Sequence, residues 1–515
     1  MPPLHLVRTS RELARRATPS LSTFQHISRS YSQVTARYDL KSGSTSSVPQ
    51  SNAPEALTGL RALPWSSLIR SLAVLSVASL PQPALSRLIR TVKRHSNWIH
   101  RSAIMRRAIR ATFYDTFCIG EGKVEIAKNV NELRQIGVRG VILAFAREAI
   151  VVPETNHETL LTSDEPELAS WVRFNLETID NLRQGDYLAV RCTGAGKSTL
   201  KVMDQYFEYT KNPGSITKDA RHDLLAQLEV LRLALYEICA AAKSRGIRIL
   251  VDAEDIRCQV SIDHIALNLM STFNRGSDAF VLSTYQMYLK AGIAKLRAHL
   301  QHAAENNYIL GVKMVRGAFM HTEPDRTLLH DTKGDTDKAY DEAVKLLITS
   351  HGASSLDSGS VCSTSSQGRW AADVMLATHN SHSAKEALRL YREYIQHRGN
   401  KGSAPGTGLR SLAFAQLKGM ADELSLQLAA DVEKMSERSD QAIGHVTLGG
   451  TPQYPRIGVY KYSVWGPFQE CLLYMLRRAE ENKDAVARSR GTATVMMKEA
   501  FQRLLRTRRF QARSA

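Results

Sequence analysis

The chain has 515 residues, of which 43% are hydrophobic and 23% charged, so it can bury the core of a globular protein. Its net charge of +18 points to a nucleic acid or an anionic membrane as partner, but residues 1–110 hold 17 Lys/Arg against 3 Asp/Glu. The rest of the chain carries only +4, which argues against a basic nucleic-acid-binding body. The six cysteines show no CxxC or Cys/His spacing, which predicts a reducing compartment and no metal centre.

Residues 1–31 have the composition of a mitochondrial presequence. The segment carries five arginines and abundant Ser and Thr, and Glu12 is its only acidic residue. The sequence Arg29-Ser30-Tyr31-Ser32 resembles the arginine-guided site of the matrix processing peptidase, which predicts cleavage after Tyr31. A disordered basic tail is the alternative interpretation.

Residues 32–110 are predicted to form a linker followed by a basic N-terminal helical arm. Residues 39–60 are rich in Ser, Gly, Pro and Asn, a composition typical of linkers. The apolar run from Ser71 to Leu80 falls short of the roughly 20 residues that cross a bilayer. Arginines and lysines then alternate with Leu, Ile and Trp98. We expect this arm either to lie on an anionic membrane surface or to pack against the following domain.

From about residue 111 to residue 490 the chain repeats a short apolar strand and a longer amphipathic stretch. The helix-like stretches include 218–244, 285–304, 336–350 and 384–398. This alternation predicts an α/β fold, a distorted (βα)8 TIM-type barrel, with an open doubly wound sheet as the alternative. Eight strands are predicted: VILAF from Val141, YLAVRCT from Tyr187, RILVDAE from Arg248, AFVLSTYQ from Ala279, LGVKMVRG from Leu310, DVMLATHN from Asp373, SLAFAQL from Ser411 and VYKYSV from Val459.

Two segments interrupt or follow this repeat. Residues 352–370 are rich in Ser and Gly and are predicted to be a disordered insertion before the sixth strand. Residues 491–515 are predicted to be a basic C-terminal tail.

Polar residues stand where the predicted strands end. In a parallel barrel the carboxyl ends of the strands form one face, and that face carries the catalytic groups. Burying a carboxylate at Asp252, after an apolar strand, costs free energy unless it is paired or faces the active-site mouth. A helix N-cap or a local ion pair is the alternative. Lys313 and Arg316 could bring positive charge to an electron-rich cofactor ring such as a reduced flavin, with surface cations as the alternative. The full set is Asp252, Glu254, Gln286, Lys313, Arg316, Thr378, His379, Gln416 and Tyr462.

Two motifs resemble known sites but fail a test of spacing. GAGKST at Gly194–Thr199 is not a phosphate-binding loop, because Arg191 stands where that loop requires its first glycine. We predict an ordinary βα loop there. His379 and His382 have no further ligand at metal-binding spacing, so we expect them to form hydrogen bonds rather than bind zinc.

The segment Val459–Asn482 carries the strongest chemical signal. It predicts a strand of alternating tyrosines, a Gly-Pro turn, and a helix that ends in Arg477 and Arg478. Two guanidinium groups on one turn can grip a carboxylate from two directions, which predicts a small acidic substrate. A solvated basic edge paired with Glu480 and Glu481 is the alternative.

Eight collinear blocks across roughly residues 111–490 resemble the mitochondrial proline dehydrogenase (proline oxidase) family. The resemblance implies a distorted (βα)8 barrel that holds FAD non-covalently and oxidises L-proline to 1-pyrroline-5-carboxylate, the first step of proline catabolism to glutamate. It further implies electron transfer to ubiquinone at the matrix side of the inner mitochondrial membrane. The blocks are FCIGE at Phe117, VDAED at Val251, STYQMYL at Ser283, GVKMVRGAFM at Gly311, HDTKGDTDKAYDEA at His330, VMLATHN at Val374, FAQLKGMAD at Phe414 and the closing VYKYSVWGP…LRRAEEN.

The resemblance also implies roles for single residues. Arg477 and Arg478 would bind the proline carboxylate, Tyr462 would pack on the substrate ring, and Asp252 would close and polarise the pocket. Hydride would leave the ring carbon beside the amine for the flavin, with positioning supplying much of the rate. The residues implied to hold FAD are Gln286, Lys313, Val315, Gly317, Thr378, His379 and Glu481.

Some positions depart from the family pattern. Lys313 stands where bacterial members have arginine, which keeps the charge but loses the planar fork, and Phe319 replaces a frequent tyrosine. Tyr462 is bulkier than the matching residue of hydroxyproline-oxidising relatives, which favours unsubstituted proline. A dehydrogenase of hydroxyproline or another cyclic imino acid is the alternative enzyme. A basic mitochondrial protein that binds nucleic acid or membrane is the alternative outside enzymes. A barrel that binds a partner but has lost catalysis is a further alternative, against which the complete set of Asp252, Tyr462, Arg477 and Arg478 argues.

Overall fold

The structure is a computed structural model that describes residues 65–78, 80–146, 167–214, 217–320, 323, 325–349, 370–400, 408–442 and 456–481. The predicted presequence, linker and C-terminal tail lie outside these residues. Of the predicted insertion at 352–370, only Trp370 is described, and its side chain is buried.

The described chain begins with a helical arm, which we define as α1 (Trp65–Ala78), α2 (Gln82–Arg94), α3 (Ser96–Arg101) and α4 (Ala103–Ile109). A π-helical turn at Arg110–Tyr114 connects the arm to the remaining elements. These are α5 (Lys123–Gln135), β1 (Gly140–Phe145), α6 (Glu167–Asp180), β2 (Tyr187–Val190), α7 (Lys197–Lys211), α8 (Lys218–Ser244), β3 (Arg248–Val251), α9 (Ile256–Phe273), β4 (Val281–Gln286), α10 (Gly292–Glu305), β5 (Leu310–Val315), α11 (Lys333–Thr349), β6 (Ala371–Ala377), α12 (Ser381–Asn400), β7 (Gly408–Leu417), α13 (Asp422–Ala442), β8 (Arg456–Trp465) and α14 (Phe468–Glu481).

The eight strands form one closed parallel barrel in chain order, with β8 returning to pair with β1. Ile142 stands opposite Tyr462 across that closing seam. The barrel predicted from the sequence is therefore confirmed, and each predicted strand overlaps an observed one. The helix predicted at 285–304 starts only at Gly292, because residues 285 and 286 belong to β4.

Alternate strand residues divide the apolar core into two layers. Outward-facing residues such as Leu143, Val251 and Phe414 pack beneath the surrounding helices. Inward-facing residues such as Leu250 and Met375 fill the barrel interior. Because side chains alternate along a strand, Asp252 follows Leu250 on the interior side.

Helix α14 and the arm lie at the carboxyl end of the barrel. Phe468 and Leu472 of α14 belong to the same apolar cluster as the barrel interior and as Leu85 of α2. Only Gly466 and Pro467 separate β8 from α14. Gly466 has φ +139°, a backbone conformation that residues other than glycine rarely adopt. The Tyr114 hydroxyl donates a 3.0 Å hydrogen bond to the Gly466 carbonyl, which fixes the turn to the residues that follow the arm.

The amino end of the barrel is closed by aromatic rings and a buried ion pair. The Arg248 guanidinium lies 3.7 Å from Asp373 Oδ2 and 4.7 Å from the Tyr187 ring centre. Tyr187 packs edge-on against Tyr460 with ring centres 5.1 Å apart. Residues at this end of a barrel serve stability, so the chemistry is expected at the opposite mouth.

No helix in the described ranges is both long and apolar enough to span a membrane. The apolar run at Ser71–Leu80 lies largely within α1, which has 14 residues.

Candidate active site

Asp252 is the centre of a cluster of charged side chains inside the carboxyl mouth of the barrel. The residue is 8% exposed. Its Oδ1 accepts a 2.7 Å hydrogen bond from Lys313 Nζ, and its Oδ2 accepts one of 2.7 Å from the Tyr462 hydroxyl. Arg191 Nε lies 3.5 Å from the same Oδ2. The cluster thus joins residues at or just beyond the carboxyl ends of β2 and β3 to residues of β5 and β8.

The helix cap considered for Asp252 belongs to a neighbour. Asp255 is the N-cap of α9, and its Oδ1 accepts a 3.0 Å hydrogen bond from the Arg257 amide. Asp252 is therefore free of a capping role and is held by cations from distant parts of the chain. Its burial is offset by these pairings, as a buried carboxylate requires.

The environment keeps Asp252 ionised. Burial alone would raise the pKa of its carboxyl, but the charges of Lys313 and Arg191, with hydrogen bonds from Lys313 and Tyr462, hold that pKa below its usual value. Burial raises the pKa of the Tyr462 hydroxyl well above its usual value, so the phenol remains a donor to Asp252.

Tyr462 is the meeting point of the cluster. Its hydroxyl accepts a 3.2 Å hydrogen bond from Arg191 Nη2. Lys313 Nζ lies 5.2 Å from the centre of its ring, a distance at which the ring face attracts a cation. Two cations therefore surround one carboxylate, which leaves the mouth with a surplus of positive charge suited to an anionic ligand.

Arg478 lies on the buried side of α14. The residue is 9% exposed, and its Cζ lies 5.2 Å from the ring centre of Tyr474, one helical turn earlier. Tyr474 in turn lies close enough to Tyr462 to contribute to the raised pKa of that hydroxyl. A solvated basic edge is therefore wrong for Arg478. Arg477 and Glu481 lie in the same helix, but their side chains are outside the described part of the chain.

Six of the seven residues implied to hold a flavin lie in or just beyond three adjacent strands, and the seventh, Glu481, lies in α14. Gln286 ends β4 opposite Val315, which ends β5. The Gln286 side chain is buried, and its Nε2 donates a 2.9 Å hydrogen bond to the Glu254 carbonyl. Thr378 directly follows β6 and is buried, whereas His379 is exposed. These six residues form a strip along the mouth.

Gly317 in this strip has a structural explanation of its own. It has φ +133°, and a Cβ at this position would lie 1.8 Å from the ring of Tyr288. Close approach of that ring therefore requires glycine here, whether or not a cofactor binds.

Arg316, the second cation predicted near a cofactor, is engaged in the barrel wall. Its Nη1 donates a 3.0 Å hydrogen bond to Thr378 Oγ1, and its Nη2 donates one of 2.9 Å to Ser383 Oγ. Its Nε pairs with Asp337. Arg316 thus ties the end of β5 to α11 and to the start of α12, while Lys313 is the cation that reaches the carboxylate cluster.

Glu254 is a second buried carboxyl beside the cluster, and its pKa is shifted in the opposite direction from that of Asp252. Its Oε1 accepts a 2.9 Å hydrogen bond from the Thr193 amide, yet burial raises its pKa to about 7. Its own amide donates 2.9 Å to Gln259 Oε1, and Gln259 Nε2 donates 2.7 Å to Asp263, which pairs with Lys295 at 2.8 Å. This chain of contacts fixes the loop between β3 and α9.

Two residues of the cluster were missed by the sequence analysis. Arg191 was considered only as the position where GAGKST lacks its first glycine. It directly follows β2, and a cation at the carboxyl end of a barrel strand is a candidate site residue. Tyr474 lies inside the predicted helix that ends in Arg477 and Arg478, and no motif marks it. Its position four residues before Arg478 places both on one helix face, which is the signal that could have found it.

The GAGKST segment is the βα loop expected from its spacing. The amide of Lys197, at the start of α7, donates a 2.8 Å hydrogen bond to Glu167 Oε2. A carboxylate therefore occupies the helix N-terminus where a phosphate would bind. In the described ranges, no group of three His, Cys, Asp or Glu could hold a metal ion.

The proline dehydrogenase family model matches residues 127–491, which is most of the chain and includes the whole barrel. The chain belongs to the proline dehydrogenase family. It is 27% identical over 429 residues to the probable mitochondrial proline dehydrogenase of Schizosaccharomyces pombe, covering 76% of this chain and 79% of that protein. It is 25% identical over 476 residues to mitochondrial proline dehydrogenase 1 of Arabidopsis thaliana, covering 86% and 84%.

Two further similarities concern substrate and fold. Bovine hydroxyproline dehydrogenase is 24% identical over 443 residues, covering 77% of this chain and 82% of that protein. The crystal structure of proline utilization A from Bdellovibrio bacteriovorus matches with a TM-score of 0.50 and 14% identity. That match covers 81% of this chain and 37% of the other, and it supports the barrel fold alone.

Proposed function

We propose that this member of the proline dehydrogenase family is an FAD-dependent enzyme that oxidises L-proline to 1-pyrroline-5-carboxylate and passes the electrons to ubiquinone. The proposal rests above all on the Asp252 cluster, where one carboxylate meets Lys313, Arg191 and Tyr462 at the barrel mouth. An amino acid that carries both a carboxylate and an amine matches a site containing cations and a buried anion.

The substrate carboxylate is assigned to Arg477 and Arg478 of α14. Arg478 is almost fully buried beside Tyr474, and a buried guanidinium gains most from a bidentate anionic partner. Tyr462 would pack against the substrate ring. Asp252, held ionised by its neighbours, would attract the substrate amine and orient the ring.

The donor set along the mouth fits the flavin. Lys313 supplies positive charge, Gln286 an amide and Thr378 a hydroxyl, on the adjacent strands β4, β5 and β6, and such groups suit an anionic, electron-rich cofactor. The residues that would hold FAD are Gln286, Lys313, Val315, Gly317, Thr378, His379 and Glu481. Bound FAD would accept a hydride together with its two electrons.

The protein's own part in the reaction is positioning and charge. Oxidation removes a hydride from the ring carbon beside the amine and a proton from the amine. Arg478 and Tyr462 would hold that carbon towards the cofactor strip, and Asp252 would stabilise the positive charge that develops on nitrogen as the carbon–nitrogen double bond forms. Because Asp252 is paired with Lys313, its charge is fixed in place before the substrate arrives.

The proposed location is the matrix side of the inner mitochondrial membrane. The relatives from fission yeast and Arabidopsis are named as mitochondrial, and residues 1–31 have the composition of an import presequence. We propose that residues 1–31 are removed after Tyr31, that residues 111–490 form the catalytic domain, and that residues 491–515 form a basic tail.

Absorbance spectroscopy of the purified protein tests the proposal. Flavin bands that bleach on anaerobic addition of L-proline are expected, followed by their return when a ubiquinone analogue is added. A protein purified without flavin, or a flavin that proline leaves oxidised, would refute the assignment. Turnover of hydroxyproline in place of proline would favour the second activity found among the relatives.

A further inference from the structure

Exposed apolar side chains concentrate on the arm. Nine large hydrophobic residues are exposed in the described ranges, and six of them lie between residues 65 and 104. Trp98 is 59% exposed and Ile104 is 82% exposed. The six are Trp65, Ile69, Leu80, Leu88, Trp98 and Ile104. A concentration of this kind marks an interaction surface, since exposed apolar residues are otherwise scattered singly.

All acidic and basic residues of the same segment are basic. Residues 65–110 contain nine Lys/Arg and no Asp or Glu. In α2, Leu85 and Ile89 face the core, while Arg87, Arg90 and Arg94 are exposed. Arg70 and Arg110, at the two ends of the segment, pair with acids outside it.

The remaining arginines of this surface are available for a partner. Among the ion pairs formed between described residues, none includes Arg87, Arg94 or Arg107. Trp98 and Ile104 lie between these arginines in the sequence. An indole and an aliphatic side chain interspersed with cations fit a headgroup region, where the rings and chains enter the acyl boundary and the cations meet phosphates.

We propose that the exposed surface of the arm docks the protein onto a bilayer that contains anionic phospholipid. Charge complementarity favours this partner over a second copy of the chain, because a symmetric dimer through this surface would bring only like charges together. The proposed docking is peripheral: it uses exposed side chains of the arm, and none of the described helices is able to span the membrane. The inference rests on the proposed function, in which the electron acceptor, ubiquinone, is dissolved in the bilayer.

The geometry gives the docking surface a consequence for electron transfer. Helix α14 carries the proposed carboxylate clamp and packs against α2, α3 and the π-helical turn at Arg110–Tyr114. The surface therefore lies one helical layer from the barrel mouth. A lipid-soluble acceptor could reach the mouth from the membrane side without crossing the aqueous phase.

Vesicle co-sedimentation of the full chain tests this inference. One set of vesicles contains phosphatidylcholine alone, and the other contains equal parts of phosphatidylcholine and phosphatidylglycerol. We expect binding to the anionic set only, weakened by salt. The triple variant Arg87→Gln, Arg94→Gln, Arg107→Gln should bind roughly 100-fold more weakly, because each surface arginine contributes about fivefold.

Matched variants separate docking from folding. Trp98→Ser with Ile104→Ser should weaken binding at least tenfold, because the apolar insertion is lost. Lys201→Gln with Lys218→Gln, and Val230→Ser on α8, make comparable exposed changes away from the arm and should bind as the unaltered chain does. Proline oxidation with a soluble dye as acceptor should be unchanged in every variant.

The outcomes distinguish the two proposals. If the unaltered chain does not bind anionic vesicles, or if the arm variants bind them as well as it does, the proposed docking surface is wrong. Either result would leave the enzyme assignment intact. A shift of the arm variants from dimer to monomer in light scattering would instead favour a second copy of the chain. Loss of flavin reduction by proline with vesicle binding retained would refute the function and leave the surface standing.

Discussion

The Tyr462 hydroxyl donates a 2.7 Å hydrogen bond to Asp252 Oδ2, although 210 residues separate the two in the chain. This contact links the last barrel strand to the loop after the third, and it places a phenol ring and a carboxylate side by side at the mouth. Proposed substrate packing and proposed amine binding therefore depend on one hydrogen bond.

Tyr462→Phe tests that bond with the ring retained. The loss of a charge-assisted hydrogen bond costs about 1.5–3 kcal/mol, but Asp252 keeps Lys313 and Arg191, so we expect kcat/KM for proline to fall about tenfold. Tyr462→Ala should lower kcat/KM for proline further. It should also reduce the ratio of kcat/KM for proline to that for hydroxyproline, since the ring is lost. Steady-state kinetics on both substrates measure this. An unchanged preference in Tyr462→Ala would contradict the role of the ring.

Lys313→Met should destabilise the fold as well as abolish activity. It leaves Asp252 buried without its closest cation, and removing one partner of a buried pair costs about 3–5 kcal/mol. The double variant with Asp252→Asn removes both charges and should recover much of the thermal midpoint without recovering turnover. Thermal unfolding and kinetics on the same samples check this. Additive losses of stability would show that the two residues act independently.

Arg191→Met should lower kcat/KM for proline by about tenfold or more, because it removes a contact to both Asp252 and Tyr462. Arg191→Lys should retain part of the activity, since it keeps the charge but not the fork. Lys197→Met changes a nearby cation in α7 and serves as the matched control. Equal kinetics for Arg191→Met and the control would remove Arg191 from the site.

The pKa of about 7 at Glu254 predicts a specific pH dependence of stability. Below pH 4.5 the carboxyl is protonated in the folded and unfolded states. As pH rises towards 7 only the unfolded state releases the proton, so stability relative to Glu254→Gln should fall by up to about 3 kcal/mol. The difference in thermal midpoint between the two proteins, measured across this range, checks the sign. Exposed Glu132→Gln is the control. A pH-independent difference for Glu254→Gln would contradict a buried carboxyl whose pKa is raised to about 7.

The barrel could be predicted from the sequence because each parallel strand is buried on both faces. Such a strand has a continuous apolar run in the sequence. Asp252 could be predicted for the opposite reason, as a charge where such a run ends. Lys313 and Tyr462 could be placed on the same face, but their pairing with Asp252, and that of Arg191, could not be predicted, because only the closed register brings these strands together. Arg191 and Tyr474 carried no motif, and their roles follow from three-dimensional neighbours.

The positions implied for FAD illustrate the same limit. Gly317 in the strip is explained by the ring of Tyr288. Arg316, which was predicted beside a cofactor ring but is not in the FAD set, is explained by its pairing with Asp337. Sequence alone cannot separate a residue that holds a ligand from one that shapes the wall beside it. The domain boundaries outside the described residues stay predictions.

The most direct measurement is an anaerobic proline titration of flavin absorbance in the unaltered protein, in Arg478→Met and in Lys128→Met, which changes an exposed cation on α5. If Arg478 holds the substrate carboxylate, the Arg478→Met protein keeps its flavin but needs about 100-fold more proline for half reduction, whereas Lys128→Met titrates as the unaltered protein does. Half reduction of Arg478→Met at the same proline concentration as the unaltered protein would contradict the carboxylate clamp.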